Sequence, residues 1–122
     1  MNIDYTSQAT KIDSSFVGQK FKLWTMTNDM FITDILMFVG GTNDNKPKNS
    51  IRLSIGNGPN LDEWTPEIQV PVSPSRYVSL ASLIAGIDRN YFAGGDDVYV
   101  KIISSVADGW AQVSFFGIGI PY

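Results

Sequence analysis

One stretch, residues 94–119, most constrains the fold, because apolar side chains recur at every second position in two segments of it. The first segment covers residues 98–103 and the second covers residues 113–116. A period of two is typical of β-strands, whose successive side chains point to opposite faces of a sheet. Asp108 and Gly109 lie between the segments, and an Asp-Gly pair favours a two-residue β-turn. The stretch therefore predicts a β-hairpin.

A two-residue turn would fix the register of this hairpin, and so the face on which each side chain lies. One face would then be wholly apolar, and the other would mix aromatic and hydrogen-bonding side chains, as protein–protein interfaces do. A small sandwich seldom needs apolar side chains on both faces of one hairpin, so the mixed face indicates contact with another molecule. We predict an oligomer interface built from Tyr99, Ile103, Trp110 and Phe116.

The rest of the chain predicts further strands. Five upstream segments are short and rich in β-forming residues, and turns containing Gly, Pro, Asn and Asp separate them. With the hairpin and the Tyr91-Phe92 pair they give seven or eight strands and no long amphipathic helix, which predicts a single-domain, all-β sandwich over residues 20–122. Long connections at residues 40–49 and 57–65 favour a jelly roll over a simple meander. The five segments are residues 20–27, 30–39, 50–56, 67–72 and 76–80.

The segment 30–39 is apolar on both faces from Ile35 onward. Such a strand is covered on both sides, so we expect the core on one side and a second sheet, a loop or another subunit on the other. Asp34 interrupts the run, and an isolated buried carboxylate would be costly. We therefore expect Asp34 to pair with a basic residue of a neighbouring strand, namely Lys22, Arg52 or Lys101.

Residues 1–19 are mostly polar and lack sustained periodicity. This composition fits a frayed chain end, and it also fits an extended arm whose few apolar side chains dock on a neighbouring molecule. We predict an extended N-terminal arm over residues 1–19, with contacts made by Ile3, Tyr5 and Ile12.

Composition excludes several classes of function. The net charge is −3 and the nine basic residues are scattered, whereas nucleic acids and acidic membrane surfaces require clustered positive charge. The chain contains no histidine and no cysteine, which removes the commonest general base, thiolate chemistry and the usual zinc ligands. No nucleophile motif is present either. We expect no enzyme activity, no cofactor, and no nucleic-acid or membrane partner.

Two acidic clusters could suggest a metal or a sugar-cleaving site, but neither has the right pattern. Asp96 and Asp97 are adjacent, so in a strand they point to opposite faces and cannot act as a pair across one sugar. The loop Asn43-Asp44-Asn45 lacks the glycine and the closing glutamate of a calcium loop, and two lysines follow it. We expect no metal site.

The three tryptophans raise the possibility of carbohydrate binding, because exposed aromatic rings stack on sugars. Trp64 lies in the long loop 57–65 beside acidic residues and is the candidate ligand residue. Aromatic side chains of small β-domains more often serve the core or an interface. Protein contact is therefore the preferred interpretation, and a sugar site rimmed by Trp64 is the alternative.

The C-terminal third resembles a known group of proteins. Residues 95–102, Gly-Asp-Asp-Val-Tyr-Val-Lys-Ile, then a short turn and a strand ending in Phe-Gly-Ile at residues 116–118, resemble the closing hairpin of small bacteriophage virion structural proteins. The apolar strand 32–39, the Gly/Asn loop after it and the strand 50–56 are similar as well. These proteins include capsid decoration (cement) proteins and domains of head or tail fibres.

The resemblance implies a jelly roll or related β-sandwich that assembles as a homotrimer and has no catalytic residue. It implies a virion structural protein made in the host cytoplasm and located on the capsid surface. The preferred role is a decoration protein that stabilises the shell by binding between major capsid subunits. The alternative role is a carbohydrate- or receptor-binding module such as a fibre tip.

Overall fold

The computed structural model describes residues 3–6, 10–43, 50–72, 75–84, 91–105 and 109–121 and confirms an all-β architecture. Two short 3-10 turns, Ser14–Phe16 and Ala81–Leu83, are the helical elements of these ranges, and neither could span a membrane. The strands are β1 (Ile3–Thr6), β2 (Thr10–Asp13), β3 (Lys20–Thr25), β4 (Met30–Asn43), β5 (Ser50–Gly56), β6 (Thr65–Pro71), β7 (Arg76–Ser79), β8 (Tyr91–Phe92), β9 (Asp97–Ser104) and β10 (Trp110–Pro121).

The strands form two antiparallel sheets. The first sheet has the order β1-β10-β4-β7, with β2 also paired to β10 and β8 also paired to β4. The second sheet has the order β3-β9-β5-β6. At each edge of the first sheet two short strands, β1 with β2 and β7 with β8, occupy one strand position. The ten described strands therefore fill four positions in each sheet. The chain passes repeatedly from one sheet to the other, which makes this a β-sandwich whose strand order is compatible with a jelly roll.

The predicted hairpin of β9 and β10 is wrong. Strand β9 lies between β3 and β5 in the second sheet, whereas β10 lies between β4 and the β1/β2 edge in the first. The segment between Ser104 and Trp110 therefore connects the two sheets, and Asp108 lies outside the described residues. Five residues can span the ~10 Å between packed sheets.

The core consists of the inward-facing side chains of both sheets. The predicted alternation holds along β9 and β10: Val98, Val100 and Ile102 on β9 are fully buried from one side. Val113 and Phe115, on β10 of the first sheet, are buried from the opposite side of the core. Removing such side chains from water contributes about 1.5–3 kcal/mol each, before the entropy of ordering them is subtracted. This burial holds the two sheets together.

Asp34 does not pair with a basic residue. Its carboxylate accepts hydrogen bonds from the Ser79 hydroxyl, at 2.7 Å, and from the Ala81 backbone N–H, at 3.1 Å. These bonds fasten the end of β7 and the following 3-10 turn to β4. Two of the three basic residues expected beside it have other carboxylates as neighbours: Arg52 lies 2.7 Å from Glu67 and Lys22 lies 3.9 Å from Asp97.

We predict that Asp34→Ala lowers the free energy of unfolding by about 1–2 kcal/mol, because a part-buried hydroxyl and an amide lose their acceptor. Urea denaturation of the purified protein measures this change. Glu67→Ala is the matched control: it removes an exposed ion pair and should cost well under about 1 kcal/mol. Equal losses in the two variants would contradict a structural role for Asp34.

Candidate protein interface

The outer faces of the two sheets differ in chemistry. On the second sheet the outward positions of the neighbouring strands are mainly charged and polar, as on a solvated surface. Tyr99 lies among them with its ring 4.7 Å from the Lys20 ammonium, and Ile103 is half-buried. The exposed polar members of this face are Lys20, Lys22, Arg52, Glu67, Gln69 and Lys101.

The outer face of the first sheet is instead largely apolar, and its described outward side chains are half-buried or exposed. Its central strands, β4 and β10, alternate between fully buried inward side chains and large outward ones. Edge strands β7 and β8 add two tyrosines. We call this surface the aromatic face, and it comprises Phe31, Leu36, Phe38, Tyr77, Tyr91, Trp110, Phe116, Ile118 and Ile120.

Cross-strand pairing makes the aromatic face continuous. Phe116 lies opposite Leu36, and Phe38 lies opposite Ser114 on one side and Tyr77 on the other. The Phe38 and Tyr77 ring centroids are 4.5 Å apart. Such cross-strand pairs stabilise the sheet, but they leave their outer surface open. Tyr77 remains 66% exposed, far more than an aromatic ring in a core.

Three charged groups described near the aromatic face have partners within the chain. The Lys11 ammonium lies 4.6 Å from the centroid of the Trp110 ring, and Asp34 accepts the two hydrogen bonds described above. Asp13 accepts hydrogen bonds from the hydroxyl and the N–H of Ser15, which lower the pKa of its carboxyl below the ordinary value. The surface therefore offers apolar contact rather than charge recognition.

The edges of the sheets are poorly suited to association. The β6 edge contains Pro66 and Pro71, and the β3 edge contains Lys20 and Lys22 with a register shift before Trp24. Each edge of the first sheet is divided between two strands of at most four residues. Prolines, lysines, bulges and short strands are the usual protections against strand addition. A partner would therefore meet a face of this sandwich, not an edge.

The four residues predicted for one interface lie on opposite sides of the molecule. Trp110 and Phe116 belong to the aromatic face, whereas Tyr99 and Ile103 lie on the outer face of the second sheet. The predicted register failed because β9 and β10 do not pair. The contribution of any of the four to an oligomer stays a prediction.

Strands β1 and β2, within the predicted arm, pair with β10 of this same chain. Ile3 lies opposite Gly119 and Tyr5 opposite Gly117 in the backbone register. Ile12 is fully buried in the core of this chain. Contacts of Ile3 and Tyr5 with another molecule, and the division of the chain into arm and domain, stay predictions.

Trp64, the candidate sugar residue, is a core residue in the structure. It is only 2% exposed, and its indole N–H donates to the carbonyl oxygen of Ile32 over 3.3 Å. A ring in that position cannot stack on a sugar. The neighbouring Glu63 carboxylate stabilises the loop, because it accepts hydrogen bonds from the backbone N–H of Gly58 at 2.8 Å and of Asn60 at 3.3 Å.

A groove lies across the outer face of the second sheet, with a volume of about 670 Å³ and a mixed polar and apolar lining. Ser54 and Lys101 are opposite each other on its floor, and Glu67 on its wall is held by Arg52. None of the described residues that line the groove is aromatic. Among the described residues, no group of acidic side chains is arranged to hold a metal ion.

Comparison with known proteins gives one informative result. No protein-family model matches the chain, and no curated protein matches it by sequence. A solved structure described as "Cyanophage Pam1 capsid asymmetric unit" contains a chain of similar fold, with a TM-score of 0.54 and 7% sequence identity. The similarity covers 98% of this chain and 85% of that chain. At this identity the likeness establishes a shared fold, which extends over nearly the whole chain.

Proposed function

We propose that this protein is a non-enzymatic virion structural protein. The observation that carries the proposal is the aromatic face, a broad apolar surface on one side of an otherwise polar sandwich. Soluble monomers rarely expose contiguous apolar surface of this extent, so it indicates a stable contact with another protein. The fold likeness to a chain in a cyanophage capsid supports a place in a virus particle.

The most specific form of the proposal is a capsid decoration protein. It would assemble as a homotrimer and bind at the surface of the shell, between major capsid subunits. The matched chain of the cyanophage capsid is itself small, since this 122-residue chain spans 85% of it. Decoration of this kind works by adding buried area between neighbouring subunits, and the repetition of one contact over a symmetric shell multiplies a modest affinity.

We predict that an epitope-tagged copy of the chain, supplied during phage assembly, is incorporated into particles and stays bound after gradient purification. Particles assembled without the chain should release their DNA at a lower temperature, because the contacts between shell subunits are fewer. Quantitative immunoblotting and a thermal release assay measure the two effects. A tagged chain that never sediments with particles would refute the virion role.

The alternative is a carbohydrate-binding module. Its proposed stacking residue, Trp64, is buried in the core, so the groove of the second sheet is the remaining candidate site. A glycan array separates the two functions. Binding that disappears in Lys101→Ala would favour the groove as a sugar site. Absence of binding, together with incorporation into particles, would support the structural role.

A further inference from the structure

We infer that the aromatic face is covered by a second copy of this chain, and that the capsid is contacted through other surfaces. This inference rests on the proposed function, because it names the partner of the face within that role. The subunits would pack with their first sheets toward the symmetry axis. The charged outer face of the second sheet would then point away from the axis.

Solubility before assembly favours a second copy over a capsid subunit. A decoration protein would be made as a free protein and would meet the shell only later. A contiguous apolar surface left open during that time promotes aggregation. A second copy is present wherever the protein is made, so it can cover the face from the start. The mixed, charged second sheet suits the later contact, because interfaces between separately stable partners are more polar.

The size of the face is close to that of a stable interface. Strand β10 has 12 residues, and the sheet is four strand positions wide. At ~3.4 Å per residue and ~4.8 Å per strand, the described strands of this sheet cover roughly 650 Å² in projection. A standard interface buries about 800 Å² on each partner. Contact over the whole face would therefore approach the size of a specific interface.

Charge constrains how identical copies can meet. Each chain carries a net charge of −3, so two copies repel one another unless the contact keeps like charges apart. Near the aromatic face Lys11 lies over Trp110, while the Asp13 and Asp34 carboxylates are hydrogen-bonded to neutral donors and keep their negative charge. Two copies must therefore meet through the aromatic rings in an arrangement that does not oppose these carboxylates.

Single cysteines provide a direct test, since the natural chain has none. Gln112 is an exposed residue on the outer side of β10 beside Trp110, and Gln69 is an exposed residue on the outer side of β6 in the other sheet. We expect Gln112→Cys to react with a thiol reagent about tenfold more slowly than Gln69→Cys at concentrations where the oligomer is populated, and at the same rate after dilution dissociates it. Equal rates at all concentrations would overturn the inference.

A second pair of variants keeps the test decisive if either cysteine variant is unstable. The wild-type protein should show a light-scattering mass of at least two chains, each of 13.5 kDa. Tyr77→Glu places a charge at the most exposed ring of the face and should reduce the mass to that of one chain. Gln69→Glu adds the same charge on the opposite sheet and should leave the mass unchanged. A multimer that survives Tyr77→Glu, or is lost equally in both variants, overturns the inference.

The outcomes separate this inference from the proposed function. A monomeric protein that still enters particles would refute the second copy and leave the virion role standing. An oligomer formed through the aromatic face that never enters particles would refute the virion role and leave the interface standing.

Discussion

Replacing Trp64 with alanine is expected to lower the free energy of unfolding by about 3–5 kcal/mol, the cost of removing a large buried aromatic side chain. The ring is almost wholly enclosed, and the loss would open a cavity under the loop that precedes β6. The Ile32 carbonyl oxygen would also lose the indole N–H. Urea denaturation followed by circular dichroism measures the change, because two other tryptophans would complicate a fluorescence signal.

Trp64→Phe is the matched control, since it keeps most of the buried ring and removes only the N–H donor. It should cost less than the alanine variant by at least about 1 kcal/mol. Both variants also test the sugar hypothesis. A Trp64→Phe protein of near-normal stability that loses glycan binding would show that Trp64 contacts ligand and would contradict the core role described above.

Replacing Gly56 with alanine is expected to cost about 3 kcal/mol, at the upper end of the usual range for overpacking. A Cβ atom at this position would overlap the Glu63 carboxylate and would lie 2.7 Å from the Glu63 backbone nitrogen and 2.8 Å from that of Asp62. The backbone of the loop cannot move away without disturbing Trp64. The backbone N–H of Trp64 donates a hydrogen bond to the Ile55 carbonyl oxygen at 3.0 Å. The midpoint of urea unfolding should fall accordingly.

Gly41→Ala serves as the control for Gly56→Ala. A Cβ at Gly41 would meet nothing within 4 Å, so this change should be neutral or slightly stabilising through its effect on the unfolded chain. Similar losses for both variants would indicate that backbone freedom, and not contact with the loop, makes glycine necessary at position 56.

The alternation of apolar and polar side chains predicted the fold class and the buried positions of β9 and β10. A strand that is buried on one face shows a period of two regardless of which strands lie beside it. Val98 and Val113 are buried as expected. Alternation says nothing, however, about which strand pairs with which. The Asp108-Gly109 turn signal suggested the wrong partner, since a local preference for a tight turn was outweighed by the pairing of β9 with β3 and β5.

The aromatic face was only partly predictable for the same reason. Its strongest sequence signal is the segment 30–39, whose apolar side chains lie on both faces of the strand; that its outer face is covered by another molecule stays a prediction. Trp110 and Phe116 were identified as interface candidates and lie on this face. Tyr77 and Tyr91 were missed, because an isolated tyrosine in a short strand shows neither its sheet nor its face until the pairing partners are known.

The position of β10 has a consequence for when the aromatic face can exist. This strand is the last of the described strands to be synthesised, yet it lies in the middle of the first sheet and pairs with β1, β2 and β4. Until it arrives, the earlier strands of that sheet have no shared neighbour, and such distant pairings form slowly. A nascent chain therefore cannot present the finished surface before β10 has joined the sheet. We expect subunits to recognise one another only after that step, as nearly complete sandwiches.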